Sequence, residues 1–235
     1  MVAPDLMAGR RAAVFDFYGT LTPVSSPEAW TANATSLAAA MGVSAAELVR
    51  VLDETFGARI TGVLGDVSQT LQALADRLGV ELTDSQLARA SQIRRERQEA
   101  MFALRPEALG VIRALRTRGH RIGLVSDCTI ELPAAWPRLP VSQVVDVPVF
   151  SCIEGLRKPD PRLFRKAAAG LAAQPDECLY VGDGGGDELA GAAALGMRAV
   201  LLAGADWRNH RTPGLGPGGA GWTGARIGSL TELLA

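Results

Sequence analysis

Five short apolar runs, each ending near a turn residue or an acid, constrain this chain more than any other feature: Ala12–Asp16, Arg121–Asp127, Val144–Phe150, Cys178–Asp183 and Arg198–Leu202. Each is too short for a buried helix and reads as a strand covered on both faces. Between the later runs lie helical segments at Arg105–Arg118 with a Gly119 stop, Pro161–Leu171, and Glu188–Leu195 with a Gly196 stop. Strands alternating with helices at this spacing predict an α/β fold whose parallel sheet is joined by right-handed crossovers.

The interval from Thr22 to about Leu104 breaks the alternation. It offers four helical patterns, Pro27–Met41, Ser44–Phe56, Asp66–Leu78 and Thr83–Met101, and no strand. Leu71, Leu74, Ala75 and Leu78 fall at i, i+3, i+4 and i+7 and make one apolar stripe, while Ser44 followed by Glu47 starts a helix as a capping box. A helical block set between the first strand and the rest of an α/β core reads as an inserted cap domain. The expected division is residues 1–21 and 105–235 for the core and 22–104 for the cap. Arg94, Arg95 and Arg97 are expected on a solvated helix face. Arg59, in a turn between cap helices, is the candidate for meeting the remote anionic end of a substrate.

Composition narrows the partners. Among 235 residues the charged fraction is 21% and the net charge −1, so no basic footprint for nucleic acid or an anionic membrane is present. The apolar run after Arg10 and Arg11 is far too short for a membrane span. Cys128, Cys152 and Cys178 are odd in number and widely spaced, which fits reduced thiols in a cytoplasmic protein better than a disulfide framework. The stretch Asp206–Gly224 is rich in Gly and Pro and reads as a surface connection before a short helix at Ser229–Leu234. His120 and His210 lack metal-ligand company and read as structural or solvated. Lys158 and Lys166 are the only lysines, so any lysine chemistry falls to one of them.

In an open parallel sheet, ligands gather outside the carboxyl ends of the strands, where strand order reverses. To that edge the expected strands deliver Asp16, then Ser126 and Asp127, then Asp183 with Asp187, and Lys158 precedes a helix nearby. Crowded carboxylates repel one another unless a cation joins them. Magnesium suits the need, because it takes hard oxygen ligands from one or two carboxylates and keeps waters for substrate oxygens. With Lys158 as a second positive charge the site suits a dianionic phosphate, and a buried aspartate facing it can act as nucleophile. The glycines around Asp183 do not form a dinucleotide fingerprint: the third is misplaced and two acids would face the pyrophosphate.

The motifs "DFYGTL" at Asp16–Leu21, "LVSD" at Leu124–Asp127, "RKPDP" at Arg157–Pro161 and "VGDGGGDELAGAAALGM" at Val181–Met197 resemble, in order, those of the haloacid dehalogenase superfamily. The resemblance implies a Rossmann-like three-layer core with a helical cap inserted after the first motif. It also implies Asp16 as nucleophile, Ser126 and Lys158 as phosphate-binding groups, and Mg2+ held by Asp16, the backbone carbonyl of Tyr18 and Asp183, with Asp187 nearby. The activity implied is hydrolysis of a small phosphate monoester through an aspartyl-phosphate.

Two residues depart from the phosphatase pattern. Tyr18 stands where such relatives usually carry an aspartate that protonates the leaving oxygen. A phenol with a pKa of about 10 does this poorly, at a cost of about 10²–10⁴ in that step. Tyrosine there resembles the metal-independent 2-haloacid dehalogenases, whose halide leaves without a proton. The fourth motif, with Gly182-Asp183 and then Asp187, resembles the magnesium-dependent members instead. Asp127 stands where many relatives have asparagine. Together, Tyr18 and Asp127 also admit a third reading, a catalytically weak fold kept for binding. The cap interval holds no lysine, which argues against Schiff-base phosphonate cleavage.

Overall fold

The computed structural model describes residues 5–207, 219 and 221–235. Its sheet has six parallel strands: β1 (Ala12–Phe15), β2 (Arg121–Ser126), β3 (Val147–Phe150), β4 (Cys178–Gly182), β5 (Arg198–Leu202) and β6 (Ala225–Ile227). They lie in the order β3-β2-β1-β4-β5-β6. The chain therefore builds outward from β1 in one direction, returns to its other side at β4, and builds outward again. Strand order reverses between β1 and β4, and there the carboxyl ends of two neighbouring strands open a crevice.

Alternation along each strand splits the core into two apolar layers. Ala13 and Phe15, Ile122 and Leu124, Leu179 and Val181, and Val200 and Leu202 face α6 (Ala108–Thr117) and the C-terminal 3-10 turn Leu230–Leu234. Ala12 and Val14, Val125, Tyr180, and Ala199 and Leu201 face α9 (Pro161–Gly170) and α10 (Glu188–Ala194). The sheet is thus covered on both faces, as the continuous apolar runs require.

Between β1 and α6 the chain makes five helices: α1 (Pro27–Met41), α2 (Ala45–Glu54), α3 (Phe56–Ile60), α4 (Val67–Leu78) and α5 (Asp84–Met101). Reciprocal side-chain bonds start α4 at Asp66 and Gln69, and α5 at Thr83 and Gln86. At α2 only half of the expected box forms, Glu47 N–H donating to Ser44 Oγ at 3.5 Å. Left-handed Gly42 and Gly79 end α1 and α4. Leu71, Leu74 and Ala75 pack with Leu37, Met41, Leu48 and Val51 in a separate apolar cluster, with Leu78 at its margin.

Several expectations need correction. β6 went unread because three residues are too few to carry an alternating signal. The run from Val144 becomes a strand only at Val147, after a 3-10 turn over Pro140–Gln143. Short helices α3, α7 (Glu131–Ala135) and α8 (Ser151–Glu154) fill stretches read as turns or left unassigned. The C-terminal helix is a 3-10 turn capped by Ser229. Arg94 is not solvated: it is buried and ion-paired with buried Glu131 of α7, tying α5 to the core. Arg95 is exposed as expected, while Arg97 stacks on Trp30 at 4.7 Å and donates to the Ala29 carbonyl. His120 rests against the Arg10 carbonyl at 3.1 Å, and His210 lies outside the described residues. Among the described residues no single helix is long and apolar enough to cross a membrane.

Candidate active site

Asp16 directly follows β1 and Asp183 directly follows β4, on the two sides of the crevice. Parallel pairing sets Phe15 beside Val181, and Asp16 N–H donates to the Val181 carbonyl at 2.9 Å. Both acids are 4% exposed. With Glu188, the first residue of α10, they form a buried trio in which one carboxylate oxygen from each lies within 4.8 Å of the others.

One lysine serves this trio. Lys158 Nζ donates to Asp16 Oδ1 at 2.6 Å and to Glu188 Oε2 at 2.5 Å, and Tyr180 OH stands 3.4 Å away. Glu188 also accepts from Tyr180 OH at 2.8 Å and from Gly184 N–H at 2.9 Å. Its oxygens are therefore taken up by the protein. Asp183 accepts from Gly185 N–H at 3.0 Å, and its backbone carbonyl accepts from Trp207 Nε1 at 3.0 Å.

Three carboxylates against one ammonium leave excess negative charge in a dry place. Burial, then the neighbouring Glu188, pushes Asp183 up to about 7. Burial also raises Asp16, which Lys158 offsets only in part. Burial alone would lower Lys158, but Asp16 and Glu188 more than reverse it and keep the ammonium charged. The donor set fits a hard divalent cation: buried oxygens, closely spaced, with more charge than Lys158 neutralises.

The turn after β1 is equally constrained. Gly19 has φ +78°, and a Cβ there would lie 2.0 Å from Asp183 Oδ2. Only glycine permits both the left-handed turn and this close approach. Arg105 braces the turn from below, donating to the carbonyls of Gly19 and Thr20 at 3.0 Å each while pairing with Asp206 at 2.8 Å.

A cavity of about 290 Å³ opens above Asp16, Asp183 and Lys158. Its far wall comes from α1, α2, α3 and α5, with Trp30, Leu37, Leu52 and Phe56 among the residues lining it. Tyr18 also lines it. The phenol lies 3.5 Å from Gln98 Oε1 of α5, and Gln98 Nε2 donates to Thr129 Oγ1 at 3.4 Å. Burial, then Cys128 and Glu131, raises the phenol well above its ordinary value. Tyr18 is thus an even weaker acid than a free phenol.

The structure brings Asp16, Tyr18, Lys158 and Asp183 to one cavity and leaves two expected residues elsewhere. Asp187 is exposed, with a left-handed backbone at the start of α10; Glu188 beside it fills the buried place. Ser126 is fully buried at the end of β2 with its hydroxyl unpaired, and Asp127, Cys128 and Thr129 line the cavity instead. Asp127 Oδ1 accepts from Lys158 N–H at 3.0 Å, so this acid fixes the lysine's backbone. Its other oxygen is buried without a partner, and burial raises its pKa. Arg59 belongs to a helix rather than a turn. It lines the cavity while donating to the Leu52 carbonyl at 2.7 Å and to Thr55 Oγ1 at 3.3 Å, and burial, with Arg94 nearby, lowers it to about 10.

Sequence reasoning passed over Glu188, Tyr180 and Arg105. Tyr180 did leave a signal, since a phenol inside an apolar strand needs a hydrogen-bond partner. The cysteines Cys128 and Cys152 were noted only as free thiols. Their sulfurs lie 3.9 Å apart; burial raises Cys128, and the hydrogen bond from Cys128 lowers Cys152.

A parallel α/β sheet thus carries buried acids and a lysine at its switch point. Residues 10–195 match the haloacid dehalogenase-like hydrolase family, and the chain belongs to it. The glyceraldehyde 3-phosphate phosphatase of Methanopyrus kandleri is 27% identical over 199 residues, covering 82% of this chain and 83% of that one. The Pyrococcus abyssi protein of the same name is 31% identical over 96 residues, where this chain spans only about two fifths of the relative's length. Among solved structures, a 2-haloacid dehalogenase from Pseudomonas syringae pv. Tomato superposes with a TM-score of 0.66 at 19% identity, covering 96% of each chain, and so shares the fold.

Proposed function

We propose that this chain hydrolyses a small phosphate monoester with the help of Mg2+, using Asp16 as nucleophile. The observation that supports it most is the buried trio: Asp16 held by Lys158, beside an Asp183 whose raised pKa marks a site short of positive charge. Asp16, Asp183 and the Tyr18 carbonyl would hold the ion. When bound, it would supply positive charge to the phosphoryl oxygens and keep both acids ionised.

The chain's own residues do the rest. The Asp16 carboxylate attacks phosphorus, the ester P–O bond breaks, and the alkoxide leaves with a proton. Water then hydrolyses the acyl phosphate and returns Asp16. Lys158 neutralises charge on the equatorial oxygens. Glu188 and Tyr180 hold Lys158 on Asp16 as positioning residues. The block α1–α5 acts as a cap that walls the cavity from water. Tyr18, with its raised pKa, is no proton donor of consequence, so the proton comes from water or from the substrate, and turnover is slow for this class.

The phenol of Tyr18 favours one second reading, displacement of halide from a 2-haloacid, in which no proton is needed. Phosphate release from a panel of monoesters, with magnesium and with EDTA, tests the first. Metal-independent phosphate release would refute the assigned site. Chloride release from 2-chloropropionate in EDTA, without phosphatase activity, would establish the second.

A further inference from the structure

Cys128 follows Asp127 and lines the cavity, and Cys152 lies in the first turn of α8; both are buried free thiols. Their sulfurs, 3.9 Å apart, belong to two segments already tied by another residue. Ser151 Oγ accepts from Cys128 N–H at 2.9 Å and lies 3.3 Å from the Cys128 carbonyl and 2.5 Å from that of Ile60. A disulfide joins sulfurs at about 2.05 Å, so closure asks for a movement of about 2 Å between a loop and a four-residue helix. The backbone contact through Ser151 limits how far the two segments can drift apart. Cys178 provides the contrast: it opens β4 in the apolar layer on the other side of the sheet, and the Gln174 carbonyl is its sulfur's partner at 3.4 Å.

We propose that Cys128 and Cys152 form a site of reversible oxidation by small hydroperoxides, reached through the cavity. The Cys128 sulfur attacks the terminal peroxide oxygen, the O–O bond breaks, and the alcohol leaves with the thiol's proton. This makes a sulfenic acid. The Cys152 sulfur then attacks the Cys128 sulfur, the S–O bond breaks, and hydroxide leaves as water with the Cys152 proton. Two thiols lose two electrons, and the hydroperoxide becomes alcohol and water. A dithiol reductant reverses the change. Because Asp127 fixes the Lys158 backbone, drawing Cys128 toward α8 shifts that lysine. The consequence for turnover rests on the hydrolytic reading; the covalent chemistry does not.

The test uses the whole chain with tert-butyl hydroperoxide, read by intact mass, thiol titration and peptide mapping. Expected are a loss of two hydrogens, a fall from three titratable thiols to one under denaturing conditions, and one linked peptide pair joining Cys128 to Cys152, all reversed by dithiothreitol. Cys178→Ser leaves this pattern intact, whereas in Cys152→Ser the carbon nucleophile dimedone traps a sulfenic acid on Cys128. Links through Cys178, oxidation only to sulfonic acids, or an unchanged thiol count in the unmutated chain would each overturn the proposal. With an active preparation, oxidation lowers turnover by about 10²-fold, as a displacement of about 1 Å at a catalytic group can. Full disulfide formation with no activity before or after oxidation would sink the hydrolytic reading and leave the thiol site standing.

Discussion

The floor and the far wall of the cavity are built on opposite principles. On the floor, Lys158 donates to Asp16 and Glu188, Tyr180 donates to Glu188, and Asp183 lies beside them with its carboxyl raised by burial. The wall contributed by α1, α2, α3 and α5 is mainly apolar, and its cations are either paired, as Arg94 is with Glu131, or stacked, as Arg97 is on Trp30. The floor spends stability on charge arranged before any substrate arrives, and the wall selects by shape. Changes to the floor should therefore act on kcat, and changes to the wall on KM.

Asp16→Asn should break this division most severely, lowering turnover by at least about 10³-fold with the fold intact, read as phosphate release beside circular dichroism. Unchanged turnover would remove the nucleophile from the floor. Tyr18→Asp should sharpen the contrast in the other direction. It places an acid where the phenol cannot serve, and phosphatase kcat should rise by about 10²-fold; a fall would favour halide chemistry. Glu188→Gln loosens Lys158 and should lower kcat by about tenfold with little change in KM. On the wall, Trp30→Ala removes a cation–π contact of about 0.5–1 kcal/mol and should raise KM severalfold at nearly constant kcat.

Proton uptake distinguishes the two regions without any substrate. An unfolded aspartate titrates at about 3.9, and Asp183 at about 7 in the folded chain. Between these values the folded state binds more protons than the unfolded one, so stability falls as pH rises through that window and levels off above it. Melting curves in EDTA should show this decline from about pH 4 to about pH 7. Magnesium at pH 8 should recover the loss, and a flat profile would place Asp183 outside the charged cluster.

Legibility differed between the regions for physical reasons. Strand-end acids were readable because a buried parallel strand is a continuous apolar run, so a terminal Asp16 or Asp183 stands out. Asp187 and Glu188 could not be told apart, since both follow the glycine run and only the left-handed turn decides which one faces inward. Arg94 was misjudged because its partner Glu131 is 37 residues away in a helix of five, beyond any local pattern. Ser126 was read one position early: alternation buries it in the sheet, and the cavity is lined by the residues after it.

Arg105 joins the two ends of the helical block. Its backbone N–H donates to the Leu21 carbonyl at 2.8 Å while its side chain grips the preceding two carbonyls. The points where the chain departs from the sheet and comes back to it are thus clasped side by side, as at the neck of a bag. Together with the Arg94–Glu131 pair, that clasp ties the helices α1–α5 to the strands beneath.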